Sequence, residues 1–144
     1  MILREADLFH GVSDQLAEAL TGIMVKMSLD TGQVLVKEGE PADNLFVLAR
    51  GSLKLSVVGA GRTTHQATRT GEVVGWSSVA GRESYSATVT CDQPAEVYRI
   101  NKDELDKILR SHPLDGLLFY KRLAGLVGER LIGCHRLLAG LSRS

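Results

Sequence analysis

The stretch TGEVVGWSSVAGRESYSATV, residues 70–89, decides which fold and which kind of site this chain is expected to have. Three glycines punctuate it, a short apolar segment follows the first of them, and its end alternates between polar and apolar residues. We expect Val73 to Ala80 to form one helical turn and residues 85–89 to form a strand. A glycine turn before a helical N-terminus leaves several backbone N–H groups unpaired and pointing the same way. Such a group attracts an anion, most often a phosphate.

The composition predicts a soluble globular domain in the cytoplasm. The 144 residues are 44% hydrophobic, and 17 Lys and Arg balance 17 Asp and Glu. This balance argues against a nucleic-acid-binding surface on this segment. No apolar run approaches the roughly 18 residues that cross a membrane, and the N-terminus does not have the pattern of a signal peptide. The widely separated Cys91 and Cys134 favour a reducing compartment.

The chain is expected to be one domain over residues 1–144, made of three regions. Residues 1–27 carry apolar side chains at helical spacing. Residues 28–100 contain short segments of strand pattern separated by glycine turns, one of them the hairpin turn at 59–61, and separate strands are expected before and after residues 92–94. Residues 101–144 return to a helical pattern. This order predicts a mainly β domain, a sandwich, barrel or jelly roll, with flanking helices.

Two polar residues are expected to begin helices. Ser13 precedes a helix that starts at Asp14, where its hydroxyl can accept a backbone N–H. Asn101 precedes the next helical segment and has Glu104 three residues later, which is the spacing of a capping box.

The last helix, from about Leu114 to near Leu141, is expected to make a dimer. Apolar and small residues recur along it at intervals of seven, with a second set three residues later, which is the a/d seam of a coiled coil. Its glycines weaken a lone helix, so a partner helix is expected to stabilise it. The alternative is a helix packed only on its own β domain. The seam consists of Leu117, Tyr120, Ala124, Val127, Leu131, Cys134, Leu138 and Leu141.

The order of spaced glycines resembles the cyclic nucleotide-binding domain, in the form found in the cAMP receptor protein and its Crp/Fnr relatives. This resemblance runs from about residue 3 to about residue 141. It implies a double-stranded β-helix jelly roll of eight strands with flanking helices, and a long C-terminal helix that dimerises. The motifs that carry it are Leu8-Phe9 before Gly11, the block from Gly32 through Gly39-Glu40 and Leu45-Phe46 to Gly51, Gly71-Glu72, and Ser86-Ala87-Thr88-Val89.

The resemblance implies a role for each residue of the motif. Gly71 would contact the phosphate through its backbone, Glu72 would accept a hydrogen bond from the ribose 2′-hydroxyl, and Ser86 would donate to a phosphate oxygen. The N-terminal amides of the short helix, around Val73, Val74 and Gly75, would point at the same group. Arg130 and Leu131 of the last helix fall near where relatives touch the purine.

The chain departs from this pattern at Tyr85. Nucleotide-binding members carry an arginine there, which pairs with the cyclic phosphate through a charge-assisted hydrogen bond that tyrosine cannot make. Arg82, three residues earlier, could substitute for it. Without a nearby cation, Glu72 would also repel a phosphate. We therefore expect weak or absent binding of cAMP and cGMP, and stronger binding after Tyr85→Arg.

The sequence supports a non-catalytic sensor domain better than the alternatives. It has no nucleophile elbow and only one histidine on a predicted strand, so neither a Ser/His/Asp site nor a metal site is expected. Haem is a second ligand class, with His10, His65, His112, His135, Cys91 and Cys134 as possible axial ligands.

An iron–sulfur cluster would need about four thiolates, more than the chain has. Further readings are the sensor half of a Crp/Fnr-type transcription regulator, whose helix-turn-helix would follow Ser144, and a dimerisation module without a ligand.

Overall fold

The computed structural model describes residues 6–58 and 63–142, so the expected hairpin turn at 59–61 lies outside the described residues. A small antiparallel sheet is flanked by one helix before it and two after it. In chain order the elements are α1 (Asp14–Thr21), β1 (Val25–Leu29), β2 (Val34–Val36), β3 (Asn44–Ser56), β4 (Thr63–Ala67), β5 (Val73–Val74), a 3-10 helix (Trp76–Ser78), β6 (Thr88–Asn101), α2 (Lys102–Ser111) and α3 (Pro113–Ser142).

Two long strands organise the sheet. β3 and β6 pair with each other in antiparallel fashion over almost their whole length, and they lie between β1 and β4 in the order β1-β6-β3-β4. β2 adds to β6, and β5 adds to β3. The short strands therefore extend two different stretches of the same long ladder, which rolls the sheet into the jelly roll that the family resemblance implied.

The roll bends where β3 and β6 cross at Gly51. The register between the two strands shifts on both sides of this residue. Gly51 has φ +97°, and a Cβ there would lie 2.6 Å from the Cα of Ala95. Only glycine allows both this backbone conformation and this close approach. The bend explains why the sequence pattern broke into separate segments although each long strand is continuous.

Three expected boundaries are wrong. α1 ends at Thr21 and β1 already begins at Val25, so the segment up to residue 27 is not helical throughout. Residues 92–94 do not separate two strands, because they lie inside β6. Residues 85–87 precede that strand, which begins at Thr88.

The two expected helix caps are confirmed. The hydroxyl of Ser13 accepts the backbone N–H of Leu16 at 3.2 Å. Ser13 also donates from its backbone N–H and its hydroxyl to the carboxylate of Asp115, at 2.9 and 2.5 Å, which ties the start of α1 to the start of α3. The side chain of Asn101 accepts the backbone N–H groups of Asp103 and Glu104 at 3.0 and 3.1 Å.

The molecule has two apolar cores on opposite sides of the sheet. One lies inside the roll and includes Phe46, Leu48, Leu53 and Tyr85. The other joins the sheet to the helices, and there Phe9 stacks on Phe119 of α3 with ring centroids 5.3 Å apart. The second core holds the N-terminal part of α3 against the sheet, so α3 forms one wall of any space between helix and roll.

Candidate functional site

The short helix of the expected anion-binding turn begins at Gly75, not at Val73. Val73 and Val74 are buried and form β5, paired with Val47 and Phe46 of β3. Gly75 follows with φ +74° and caps the 3-10 helix Trp76–Ser78. The expected helical turn over residues 73–80 is therefore reduced to three residues, and its start moves to the second glycine of the stretch.

Gly71 and Glu72 lie away from the start of this helix. The backbone N–H of Gly71 donates to the carbonyl of Leu48 at 2.8 Å, and that of Glu72 donates to the carbonyl of Arg69 at 3.0 Å. Both amides, which the sequence predicted to be unpaired, are thus used inside the protein. β5 lies between these two residues and the short helix.

Tyr85 is a core residue. Its side chain is 7% exposed, and its hydroxyl donates to the carbonyl of Asn44 at 2.7 Å and accepts the backbone N–H of Asn44 at 3.1 Å. Its backbone pairs in both directions with Gly39 and Glu40, at 3.0 Å each. Burial raises the pKa of Tyr85, so the hydroxyl is neutral at physiological pH. These contacts hold Tyr85 inside the roll.

Ser86 is the residue of this segment that faces the short helix. It is exposed, and its hydroxyl lies 3.2 Å from that of Ser77. Arg82 is also exposed, on the turn between the short helix and Ser86, and its backbone N–H donates to the carbonyl of Ser77 at 3.3 Å.

We call the space at this helix the cassette cavity. Its volume is about 30 Å³. Sites for drug-sized ligands usually have about 300–1,000 Å³, so the side chains as placed leave room only for a water-sized guest. The lining residues are mostly apolar and are Val36, Leu55, Gly75, Trp76, Ser77, Tyr85, Ser86, Ala87 and Val89.

Glu72 belongs to a different cluster, between the sheet and α3. Its carboxylate is hydrogen-bonded to the Nε2 of His65 at 2.5 Å, and it accepts hydrogen bonds from the backbone N–H groups of Thr68 and Arg69 at 3.3 Å each. The Nη2 of Arg130 lies 3.7 Å away. Burial raises the pKa of Glu72, but the hydrogen bonds from His65 and from the two amides outweigh burial, so the pKa lies below its ordinary value. Glu72 is therefore a buried, charged carboxylate that connects β4 to α3.

This cluster forms one side of a larger space, which we call the helix cavity. Its volume is about 630 Å³. The N-terminal segment contributes Asp7, whose carboxylate receives two hydrogen bonds from the guanidinium of Arg69, at 2.8 and 2.9 Å. The sheet side contributes His65, Arg69 and Glu72, and α3 contributes Leu118, Lys121, Arg122, Gly125, Leu126, Glu129 and Arg130.

The structure thus divides the predicted site between two places. Gly75, Tyr85 and Ser86 line the cassette cavity, whereas Glu72 and Arg130 line the helix cavity. No residue lines both. Arg130 lies near Glu72, and both line a different cavity from the segment that was expected to hold a phosphate.

Sequence reasoning missed Ser77 as a cavity residue and missed the charged face of α3. Gly75 followed by Trp-Ser was a signal for the first, because a second glycine can begin the turn. The spacing of 118, 121, 122, 125, 126, 129 and 130 was a signal for the second, since residues three, four and seven apart share one face of a helix.

The residues considered as haem ligands lie on separate elements. His10 is in the N-terminal turn, His65 on β4, His112 at the end of α2 and His135 on α3. The thiol of Cys91 is buried and contacts the carbonyl of Gln93 at 2.9 Å. The side chain of Cys134 lies outside the described residues. In the part of the chain that the structure describes, no three His, Cys, Asp or Glu residues lie close enough to hold a metal ion.

Sequence comparison identifies the family. The model of the cyclic nucleotide-binding domain matches residues 26–112, which is more than half of the chain. The chain belongs to the cyclic nucleotide-binding domain family. Its antiparallel jelly roll followed by a long C-terminal helix agrees with the fold that the family resemblance implied.

Individual relatives agree with this assignment. A solved structure from Geobacter metallireducens, assigned to the cyclic nucleotide-binding proteins, is 26% identical with a TM-score of 0.78, over 90% of this chain and 95% of that one. A cyclic nucleotide-binding domain from Methylobacillus flagellatus has the same fold, with a TM-score of 0.80 and 22% identity, over 96% of this chain and 80% of that one. A cGMP-dependent protein kinase of Eimeria tenella is 29% identical over 107 residues, which are 74% of this chain and 10% of the kinase.

The chain thus corresponds to a small part of the curated relatives that it matches. None of the helices in residues 6–58 and 63–142 has the length and hydropathy needed to cross a membrane.

Proposed function

We propose that this chain is a non-catalytic regulatory domain whose cassette cavity binds cAMP and cGMP weakly or not at all. The observation that carries the proposal is the burial of Tyr85, the residue that the resemblance aligns with the arginine: its hydroxyl is hydrogen-bonded to Asn44, and its side chain lines the cassette cavity of about 30 Å³. A cyclic phosphate would find no guanidinium there, and a ribose would find Trp76 where the short helix begins. The carboxylate of Glu72 lies in the helix cavity instead.

A titration calorimetry experiment tests this proposal. Wild-type protein titrated with cAMP or cGMP should show affinity much weaker than micromolar, and submicromolar binding would overturn the proposal. The structure also moves the test of the missing arginine from Tyr85 to Ser86, because Ser86 is exposed and lines the cassette cavity. Ser86→Arg should strengthen nucleotide binding by about tenfold, which is the size of one charge-assisted hydrogen bond.

Ser86→Gln is the matched control, since it adds a long polar side chain without charge. Nucleotide affinity should change little in this variant. Equal gains in Ser86→Arg and Ser86→Gln would mean that the arginine charge is not what the cassette lacks.

We also propose that α3 forms a homodimer, through which a signal would reach another part of a longer protein. Leu117 and Leu131 occupy the same seam position two heptads apart, and they are 69% and 55% exposed in the single chain. Tyr120, which lies between them on the seam, is 46% exposed. Such a row of exposed apolar residues at coiled-coil spacing supports helix pairing. The side chains of Cys134, Leu138 and Leu141, which complete the predicted seam, lie outside the described residues.

Leu131→Asp tests the dimer without damaging the single chain, because the side chain is already exposed there. Light scattering should report monomers for this variant. Ile132→Asp is the control, since Ile132 is 52% exposed but lies off the seam, and it should stay dimeric. A dimeric Leu131→Asp protein, or a monomeric Ile132→Asp protein, would place the interface elsewhere.

Other ligand classes follow from the same argument. A Crp/Fnr-type regulator that senses a different small anion is the alternative that the structure favours, because the cationic residues lie around the helix cavity.

The free, buried thiol of Cys91 supports a reducing, cytoplasmic location.

A further inference from the structure

Two basic side chains approach the same carboxylate oxygen between β4 and α3. The Nε2 of His65 lies 2.5 Å from the Oε2 of Glu72, and the Nη2 of Arg130 lies 3.7 Å from that same oxygen. The Oε1 of Glu72 accepts two backbone N–H groups. We propose that His65 is a pH switch, whose protonation draws the shared oxygen away from Arg130 and loosens α3 from the roll.

The competition follows from the charges of the two bases. The guanidinium of Arg130 is always positive, whereas an imidazole changes its charge between about pH 5 and pH 8. Neutral His65 can donate a hydrogen bond to Glu72 without repelling Arg130. Protonated His65 donates a stronger, charge-assisted hydrogen bond, and its positive charge repels the guanidinium. The closer approach of His65 in the structure is the one expected for the protonated arrangement.

The burial of the three side chains makes His65 the one that responds to pH. Its side chain is 33% exposed, so solvent can protonate it, whereas the side chains of Glu72 and Arg130 are 9% and 21% exposed. Salt therefore screens their interaction less than on an open surface. Burial raises the pKa of Glu72, but the hydrogen bonds from His65 and two amides bring it below its ordinary value, so Glu72 stays ionised from about pH 5 to pH 8.

The other charged groups around His65 come from three parts of the chain. The N-terminal segment contributes Asp7, and both oxygens of its carboxylate accept hydrogen bonds from the guanidinium of Arg69. Glu72 is the carboxylate that is hydrogen-bonded to His65, so it takes up the new charge. Besides Arg130, the charged residues that α3 contributes to this lining are Lys121, Arg122 and Glu129.

The C-terminal half of α3 is the part that would respond. The apolar packing of α3 includes Leu126 and Val127, and Arg130 lies one turn beyond them. Leu131, the neighbour of Arg130, is 55% exposed and belongs to the predicted dimer seam. Release of Arg130 would free the turn that carries Leu131, so acidification would reach the face through which α3 is proposed to pair. This consequence rests on the proposed dimer, whereas the switch itself lies within one chain.

An NMR titration of the ¹⁵N-labelled protein from about pH 5 to pH 8 tests the switch. The amide signals of residues 126–132 should shift together, with the same midpoint as the imidazole signals of His65. His65→Gln should abolish this transition, because glutamine can still donate a hydrogen bond to Glu72 but has no charge to gain. A transition that persists in His65→Gln would overturn the proposal.

His135→Gln is the matched control, since His135 is an exposed histidine of the same helix. The transition in residues 126–132 should persist in this variant. Its loss would assign the pH response to His135 and refute the role of His65.

Arg130→Gln tests the competition itself. It removes the second cation, so the transition in residues 126–132 should lose most of its amplitude although the imidazole signals of His65 still change with pH. An unchanged amplitude would mean that the charge of His65 acts on α3 without Arg130, which contradicts the proposed competition.

Leu131→Asp separates this inference from the proposed dimer. The transition should remain in this variant, because His65, Glu72 and Arg130 belong to one chain. If the transition remains but light scattering shows no change in oligomeric state, the proposed dimer interface alone is wrong. If the transition is lost on conversion to a monomer, the pH response belongs to the interface and the proposed switch is wrong.

Discussion

The cassette cavity and the helix cavity occupy the same small domain, but they use their polar groups in opposite ways. At the cassette cavity, the hydroxyl of Tyr85 and the backbone of Asn44 form hydrogen bonds with each other, and a cavity of about 30 Å³ remains. At the helix cavity, some 630 Å³ is lined by seven charged residues and one histidine. The contrast teaches that membership of a ligand-binding family fixes the framework of a site more firmly than its chemistry.

The physical reason lies in how each wall is built. The cassette wall is part of the sheet and its core, where an apolar or neutral side chain packs at little cost and a charge must be paired. The wall of the helix cavity is one face of α3, where long charged side chains can extend from a regular helix toward solvent. Three changes test this difference, beginning with the largest expected effect.

Tyr85→Arg should be strongly destabilising. It places a guanidinium in the core of the roll and leaves the carbonyl and N–H of Asn44 without the tyrosine hydroxyl. An uncompensated buried charge costs about 3–5 kcal/mol. Urea unfolding should therefore show a much larger loss for Tyr85→Arg than for Ser86→Arg, which stays at the surface. A well-folded Tyr85→Arg protein would contradict this prediction, and a gain in its nucleotide affinity would agree with the gain expected from the sequence alone.

Glu72→Gln should lower stability by about 1–3 kcal/mol at pH 7, because a charged, hydrogen-bonded carboxylate at the helix cavity is lost. The pKa of Glu72 is lower in the folded than in the unfolded chain, so its contribution is complete above the unfolded value of about 4.3 and disappears as the pH falls through the lower, folded value. The free energy of unfolding of the two proteins, measured from pH 7 to pH 3, should therefore converge at the acid end. A difference that is constant with pH would contradict this assignment.

The same small substitution should have opposite signs at the two cavities. Gly75→Ala should cost about 1–2 kcal/mol, because Gly75 has φ +74° and its new methyl group would lie 3.1 Å from the carbonyl of Asn44. Gly125→Ala should instead stabilise the protein by up to about 1 kcal/mol through helix propensity, since nothing lies near its Cβ. Thermal unfolding measures both changes. A stabilising Gly75→Ala would show that the cassette is less tightly packed than described.

Local sequence signals predicted the elements that depend on local chemistry. The caps at Ser13 and Asn101 are confirmed because a cap needs only a side-chain oxygen and the next turn of the helix. The long last helix is confirmed for the same reason, as its apolar pattern is continuous. The strand boundaries around residues 85–88 and 92–94 were wrong, since β6 is held together by its long-range pairing with β3 and not by an alternating pattern of its own.

The sequence by itself determined the family and the jelly roll, because spaced glycines and residue identities are properties of the chain. Only the tertiary structure decided that Gly75 begins the short helix, that Glu72 pairs with His65 and Arg130 rather than lining the cassette cavity, and that a second cavity lies along α3. These outcomes depend on which segments pack together. A strand of two residues, β5, is enough to carry neighbouring parts of one motif to separate cavities.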